Sequence, residues 1–401
     1  MEFITSNLLL NIGIIGSIAL AGSLLLKKFN YPAVLIYIVI GMLISPSLFN
    51  VINPTLMSYD SVIAQIGLSF IAFSIGETFS LKNLKLIGKS GAVLSILQSV
   101  FTAVIVAVGL LLLNHWFRLP IPAILILGAI AAATGPASTF MVVREYKAKG
   151  PFTNFLLAAV SIDDAVGIIL FNTIIVVSGL MLGSTSVNIG FSILFPLIDI
   201  VLSVGLGFIL GLLLAYACQR IQGNSNYLLF TLVMLLLATG LCSAFHLSYL
   251  LCCMAIGAAM SNFSNKSTEV FSVIENFSPP IMLVFFIVSG ANLDVTTLPS
   301  VGWIGLATII LRSIGKIWSP QWAGKIAKIP PKISKYLGYA MLPQAGVPIG
   351  FALTVKNIFP EFDFIITIVV ANVIYSQIIG PLLAKYALFQ VGEAVLEKNK
   401  P

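Results

Sequence analysis

Two aspartates stand side by side, Asp163 and Asp164, in an otherwise apolar stretch, Asn154-Phe-Leu-Leu-Ala-Ala-Val-Ser-Ile-Asp-Asp-Ala-Val-Gly-Ile-Ile-Leu-Phe171. An ionised carboxylate at a bilayer centre costs roughly 2.5–3.5 kcal/mol on insertion scales, so a pair there calls for a proton, water or a cation in compensation. Neighbouring carboxylates also titrate together, because ionising one makes ionising the other harder and a nearby cation reverses the effect. Two acids so placed can hold a transient alkali cation at one moment and a proton at another.

Two basic residues carry the opposite charge into the apolar chain. Ile310-Leu-Arg-Ser-Ile-Gly-Lys-Ile-Trp318 places Arg312 and Lys316 four residues apart, on one face of a helix. At a rise of about 1.5 Å per residue from the start of that apolar run, Arg312 falls near mid-membrane and Lys316 somewhat further along. Both need anions. The reading favoured here is an ion pair between Lys316 and Asp163, broken when Asp163 takes a proton, with Arg312 near a helix crossing or near Glu77. A static bridge between two halves of the chain is the competing reading, since buried pairs often add little net stability.

Two apolar segments contain helix-breaking residues. Ala131-Ala-Ala-Thr-Gly-Pro-Ala-Ser-Thr139 is interrupted at Gly135-Pro136, and Met341-Leu-Pro-Gln-Ala-Gly-Val-Pro-Ile-Gly350 carries Pro343, Gly346 and Pro348. Irregular backbone at membrane depth survives only where it is buried in protein or lines a watery cavity. Interrupted spans in corresponding positions of two halves point to a transport site. Crossed half-helices bring dipole ends together, and Thr134 and Gln344 are candidates to compensate them.

The elements that must position these residues follow from composition. Of 401 residues, 59% are hydrophobic and 9% charged, against about 25% charged in an ordinary soluble chain. The chain therefore reads as an all-α polytopic membrane protein. Thirteen spans are expected, near residues 6–26, 32–50, 60–79, 89–114, 121–143, 151–182, 190–219, 225–245, 247–264, 270–290, 300–324, 334–356 and 362–390. The first lacks a basic leader and a small-residue cleavage site, so it is read as a retained helix. With the N-terminus outside, 16 of the 21 basic residues fall on the inner side, as the positive-inside rule requires. The C-terminus is then cytoplasmic. Orientation and anionic lipid account for the net charge of +7, which gives no indication of nucleic-acid binding.

The broken spans are the fifth and twelfth, an odd offset, so the second unit crosses the membrane in the opposite sense. The division expected is a first repeat at 1–182, a linker helix at 183–223, a second, inverted repeat at 224–392 and a short tail at 393–401, with no soluble domain. Weaker features are Glu77, at the inner end of the third span, as a point of cation access; Asp199 in the linker helix; and His115 and His246 near helix ends. Gly207-Phe-Ile-Leu-Gly211 offers a small-residue face for packing between protomers. Cys218, Cys242, Cys252 and Cys253 have no ligand-like spacing and read as packing residues.

The segments 133–139, Arg144-Glu-Tyr-Lys-Ala-Lys-Gly150, Ser161-Ile-Asp-Asp-Ala-Val-Gly167, Arg312-Ser-Ile-Gly-Lys316 and Leu342-Pro-Gln-Ala-Gly-Val-Pro348 together resemble the monovalent cation:proton antiporters, particularly the CPA2 branch with its NhaA, NapA and Kef-like membrane domains. That resemblance implies an NhaA-type inverted repeat with two crossed broken helices. It also implies a homodimer, and a six-helix core from spans four to six and eleven to thirteen that moves like an elevator. It makes Asp164 the cation and proton carboxylate and Asp163 its partner, paired with Lys316. The Asp-Asp form of the dyad favours electrogenic exchange. Trp318-Ser-Pro320 departs from the family pattern and is expected to bend the eleventh span. No attached nucleotide-binding domain is expected.

The function implied is secondary exchange of Na⁺, with Li⁺ and K⁺ as further candidates, for protons across a bacterial plasma membrane, serving pH homeostasis, without cofactor or ATP. The alternative is a Kef-type gated potassium efflux channel-like system. A sodium-coupled organic-anion symporter would want more polarity in spans five and twelve, and no nucleophile-base or metal constellation suggests an enzyme.

Overall fold

In hydrocarbon every backbone N–H and C=O must be satisfied within the chain, which favours helices. The computed structural model is helical, with no strand among the described residues. It describes residues 7–27, 31–183, 189–245, 247–294, 296, 299, 301–344 and 346–394; the side chains at 24–27, 82–87, 164, 189–193, 195–196 and 346 lie outside that description.

In chain order the helices are α1 (Leu8–Lys27), α2 (Ala33–Ile44), α3 (Pro54–Ser58), α4 (Asp60–Gly76), α5 (Leu81–Phe117), α6 (Ile121–Ala132), α7 (Pro136–Glu145), α8 (Pro151–Met181), α9 (Ile189–Arg220), α10 (Asn224–Ala244), α11 (Tyr249–Phe263), α12 (Ser267–Ala291), α13 (Gly302–Ile326), α14 (Pro331–Ala340), α15 (Gly346–Ile358) and α16 (Phe364–Val391). Among the described residues, eight helical segments are long and apolar enough to cross a membrane and four shorter apolar helices accompany them.

The chain divides into two compact units, each drawing on both halves of the sequence. One comprises Met1–Leu25, Tyr37–Leu86 and Leu197–Asn292; the other comprises Leu26–Ile36, Ile87–Pro196 and Leu293–Pro401.

In the first unit α4 packs on α11 and α12, and α10 on α11 and α12. The small-residue face expected to pair protomers is used inside the chain instead. A Cβ on Gly207 would collide with the Cys252 carbonyl, and one on Gly211 would lie 2.6 Å from the Ala259 Cβ, so the two glycines let α9 close on α11. Asp199 also turns inward, where its carboxylate accepts from the Ser248 N–H at 3.0 Å and the Ser203 hydroxyl at 2.9 Å and so caps α11. The four cysteines are buried, in keeping with a packing role. Glu77 sits just past α4 and is exposed. His115, in the second unit, is exposed at the end of α5; His246 lies outside the described residues.

The second unit carries α5 from residue 87, α6 to α8 and α13 to α16. Gly88 breaks α5 with a positive φ of 59°. Prolines start three of the unit's helices: Pro136, Pro151 and Pro331 sit at N-terminal positions, where a missing N–H leaves nothing unsatisfied. Pro320 does not end α13, which runs on to Ile326. Pro320 thus lies within one continuous helix, with the Thr102 hydroxyl donating to Ser319 at 3.1 Å alongside.

Candidate functional site

The two segments that carry the helix-breaking residues are each realised as two half-helices, α6 with α7 and α14 with α15. Between α6 and α7 the chain is extended, with Ala133 at φ −62°, ψ 141° and Gly135 at φ −91°, ψ 106°. Between α14 and α15 residues 341–344 leave the helix, Met341 turning at φ −96°, ψ 8°. The two interruptions meet: the Gly135 N–H donates to the Pro343 carbonyl at 2.8 Å. Pro343 is thus at the break itself, whereas Pro348 lies in the first turn of α15. Gly346 opens α15, and nothing further of it is described.

Two C-terminal half-helix ends, those of α6 and α14, therefore lie at one place, and each carries partial negative charge on unsatisfied carbonyls. Arg312 on α13 answers both. Its Nε donates to the Ala131 carbonyl at 3.2 Å, Nη2 to Ala133 at 3.2 Å, and Nη1 to Leu342 at 3.0 Å and to the Ser376 hydroxyl at 2.9 Å. The guanidinium is 1% exposed, and among the described residues it makes no ion pair. Of its two expected settings, helix crossing or Glu77, it takes the crossing. The Gln344 amide donates to the Ile130 carbonyl at 3.2 Å, and the Thr139 hydroxyl to Ala340 at 2.9 Å, completing the caps from side chains.

One turn along α13, Lys316 is fully buried. Its Nζ donates to the Ala132 carbonyl, to Thr134 Oγ1 at 2.7 Å and to Asp163 Oδ2 at 3.0 Å. Asp163 is also fully buried. It accepts further bonds from the Thr134 hydroxyl, from the Ser99 hydroxyl and from the Gln98 amide at 2.5 Å. Thr134 thus works on the aspartate rather than on the dipole ends, accepting from Lys316 and donating to Asp163. Burial of both charges is tolerable because each finds its partner together with neutral hydrogen bonds. The backbone of Asp164 continues α8 immediately beyond, but its side chain lies outside the described residues.

Sequence reasoning missed Gln98, Ser99 and Ser376. Ser95, Gln98, Ser99 and Thr102 share one face of α5, and Asn372 and Ser376 are one turn apart on α16. Those polar stripes on apolar helices were the available signal. Also missed was Glu393, just past α16, whose carboxylate accepts from the N–H groups of Phe152 and Thr153 and the Thr153 hydroxyl, each at 2.8 Å. It caps the helix that carries the acid dyad. Beside it Tyr146 stacks edge-on to Phe389, and burial, then Glu145, raises its phenol above the ordinary pKa.

A family model described as sodium/hydrogen exchanger, transmembrane, matches residues 15–389. The K⁺/H⁺ antiporter subunit KhtU of Bacillus subtilis is 24% identical over 394 residues, 90% of this chain and 89% of that protein. The Na⁺/H⁺ antiporter 1 of Methanocaldococcus jannaschii is 28% identical over 219 residues, 53% of this chain and 48% of that one. A structure of the sodium proton antiporter MjNhaP1 from the same organism superposes with a TM-score of 0.73 at 21% identity, covering 98% of this chain and 100% of that one.

Proposed function

The chain belongs to the sodium/hydrogen exchanger transmembrane family, and on that premise we propose that it exchanges alkali cations for protons at Asp164, with Asp163, Thr134 and Lys316 setting the local charge. It is a multi-pass membrane antiporter of monovalent cations and protons, a secondary transporter and not an enzyme.

The observation that carries the site assignment is the buried set of Lys316, Thr134 and Asp163 beside the Gly135–Pro343 bond. Asp164 follows Asp163 directly, at the depth where both half-helix ends meet. Ionised, it accepts a partly dehydrated cation, with Thr134 and backbone carbonyls of the interruptions as neighbouring oxygens. Protonated, it needs no cation. One site serving two ligands in turn makes the exchange obligatory. Should Asp163 also take a proton, its pair with Lys316 breaks and more than one proton accompanies each cation, the electrogenic form of the reading. Glu77 is retained as a point of cation access.

The finer architecture proposed is thirteen spans in an inverted repeat, a homodimer, N-terminus outside and C-terminus cytoplasmic, in a bacterial plasma membrane. The alternation of apolar segments and the inner-side lysines support it. The transported ions proposed are Na⁺, Li⁺ and K⁺; curated relatives named for K⁺ and for Na⁺ keep both in view.

The test is coupled flux. Purified protein in liposomes with a trapped pH dye and voltage clamped by ionophore is challenged with Na⁺, Li⁺, K⁺ and choline. Dye recovery with an alkali cation, lost in Asp164→Asn, supports the reading and ranks the ions. Conductive K⁺ flux without proton movement replaces it with the Kef-type channel.

A further inference from the structure

Behind Arg312, a cavity of about 10 Å³ is lined by α6, α13, the 341–344 interruption and α16. That is room for one water molecule, since a site of roughly 10–15 Å³ on this measure admits one. Its walls are Leu127, Ile130, Ala131 and Val369 on the apolar side and Thr308, Arg312, Gln344 and Asn372 on the polar side.

Two of those polar groups have an oxygen that receives no hydrogen bond from any described protein group: Gln344 Oε1 and Asn372 Oδ1. Both side chains are more than nine-tenths buried, at 1% and 4% exposure. Their orientation is fixed from the other end. The Gln344 amide nitrogen is tied to the Ile130 carbonyl at 3.2 Å and that of Asn372 to the Ile368 carbonyl at 3.0 Å, so turning either amide over would break a bond already made. A buried acceptor left unmet costs about 1–3 kcal/mol.

Arg312 leaves a donor unused as well. A guanidinium has five N–H groups. Four of Arg312's are engaged, with Ala131, Ala133, Leu342 and Ser376, and one N–H of Nη2 is left over among the described residues. The Thr308 hydroxyl spends its proton on the Ile304 carbonyl at 2.8 Å and can only accept. A spare N–H on Arg312, the second N–H of each amide and two surplus acceptors thus border a space of one water.

We propose that this cavity is a binding site for a single ordered water, which accepts from Arg312 Nη2 and donates to Gln344 Oε1 and Asn372 Oδ1. Three hydrogen bonds are what a buried water typically makes. An alkali cation would find the two amide oxygens but would sit against a guanidinium, and an anion would face two acceptors, so water alone satisfies all three groups. The site gives the buried arginine a further neutral partner where, among the described residues, it makes no ion pair. It also ties α13, α16 and the second interruption to one another through a molecule that can be replaced.

The experiment is a cryo-EM structure of the full chain in lipid nanodiscs at a resolution that orders internal solvent, for the native protein and for Asn372→Leu. The native map should show a peak at hydrogen-bond distance, roughly 2.7–3.2 Å, from Arg312 Nη2, Gln344 Oε1 and Asn372 Oδ1. In Asn372→Leu that peak should vanish as the leucine fills the space. A native map with ordered water elsewhere and a dry cavity overturns the proposal, as does rotation of Gln344 or Asn372 onto protein donors, or a peak with cation-like distances. Should Asn372→Leu fail to fold, Asn372→Thr keeps an acceptor and must retain the peak; its loss there counts equally against the site.

Discussion

The Gly135 N–H and the Pro343 carbonyl, 208 positions apart in sequence, are 2.8 Å apart in the fold and form a backbone bond that joins the two interruptions. Everything polar at the site is arranged around that point. Arg312 and Lys316 take the carbonyls of Ala131, Ala132, Ala133 and Leu342, and Lys316 reaches Asp163 from there.

That junction is held closed by Gly380 on α16, where an added Cβ would lie 2.8 Å from the Cα, Cγ and N of Pro343. Gly380→Ala should therefore push the second interruption away from the first. Overpacking of this kind costs about 1–3 kcal/mol. A fall in thermal stability together with a several-fold loss of exchange in liposomes is expected; full activity would show that the Gly135–Pro343 bond is dispensable.

The buried pair predicts a mutational cycle. Lys316→Met leaves the Asp163 charge buried with only neutral donors, and Asp163→Asn removes from Lys316 the carboxylate 3.0 Å away. Each should cost about 3–5 kcal/mol, while the double variant should recover most of that, because a buried pair can often be replaced by neutral groups at little loss. Thermal or denaturant unfolding in detergent measures all three. Additive losses in the double variant would mean that the two side chains act separately.

Asp164→Asn should abolish cation-dependent proton movement and leave the fold intact, since the change removes a charge without changing shape. Retention time on size exclusion and melting temperature report the fold, and dye recovery in liposomes reports transport. Robust coupled exchange by this variant would move the carrier role elsewhere.

Arg312→Lys should not be conservative. An ammonium has three donors on a single atom and cannot reach four acceptors spread over the two interruptions and α16, as the planar fork does. Exchange should fall at least tenfold, with lowered stability, and wild-type activity would show that charge alone suffices at this position.

Glu393 caps α8 from outside its own helix, accepting from two of the backbone donors that a helix start leaves orphaned. Glu393→Ala should cost about 0.5–2 kcal/mol, the range for loss of an N-cap. Glu393→Gln, which keeps an acceptor, should cost less. Both are read from melting curves.

Much of this was legible in the sequence because membrane insertion penalises the informative residues. A carboxylate or guanidinium in an apolar run is costly enough that its presence alone marks Asp163, Asp164, Arg312 and Lys316, and Gly135-Pro136 and Pro343 cannot sit inside a regular helix. The neutral polar residues were harder to see. Gln98, Ser99 and Ser376 carry little penalty in a helix, so nothing in their local sequence says that they face the aspartate or the arginine. Gly207 and Gly211 misled for a related reason: a small-residue face announces close packing but not the partner, which turned out to be α11 of the same chain. Glu393 lies some 240 residues from the turn it caps, and no local pattern could announce that.

That separation bears on biosynthesis. A ribosome adds about 5–20 residues per second, so about ten to fifty seconds pass between emergence of the dyad and emergence of Glu393. During that interval α8 is already made but its first turn lacks this cap, and Lys316 and the second interruption also arrive late. The acids are therefore made ahead of Lys316, and until it emerges a proton, water or a cation must supplement the earlier-made donors Gln98, Ser99 and Thr134. The proton that the finished protein trades for a cation is thus one of the escorts open to its nascent chain.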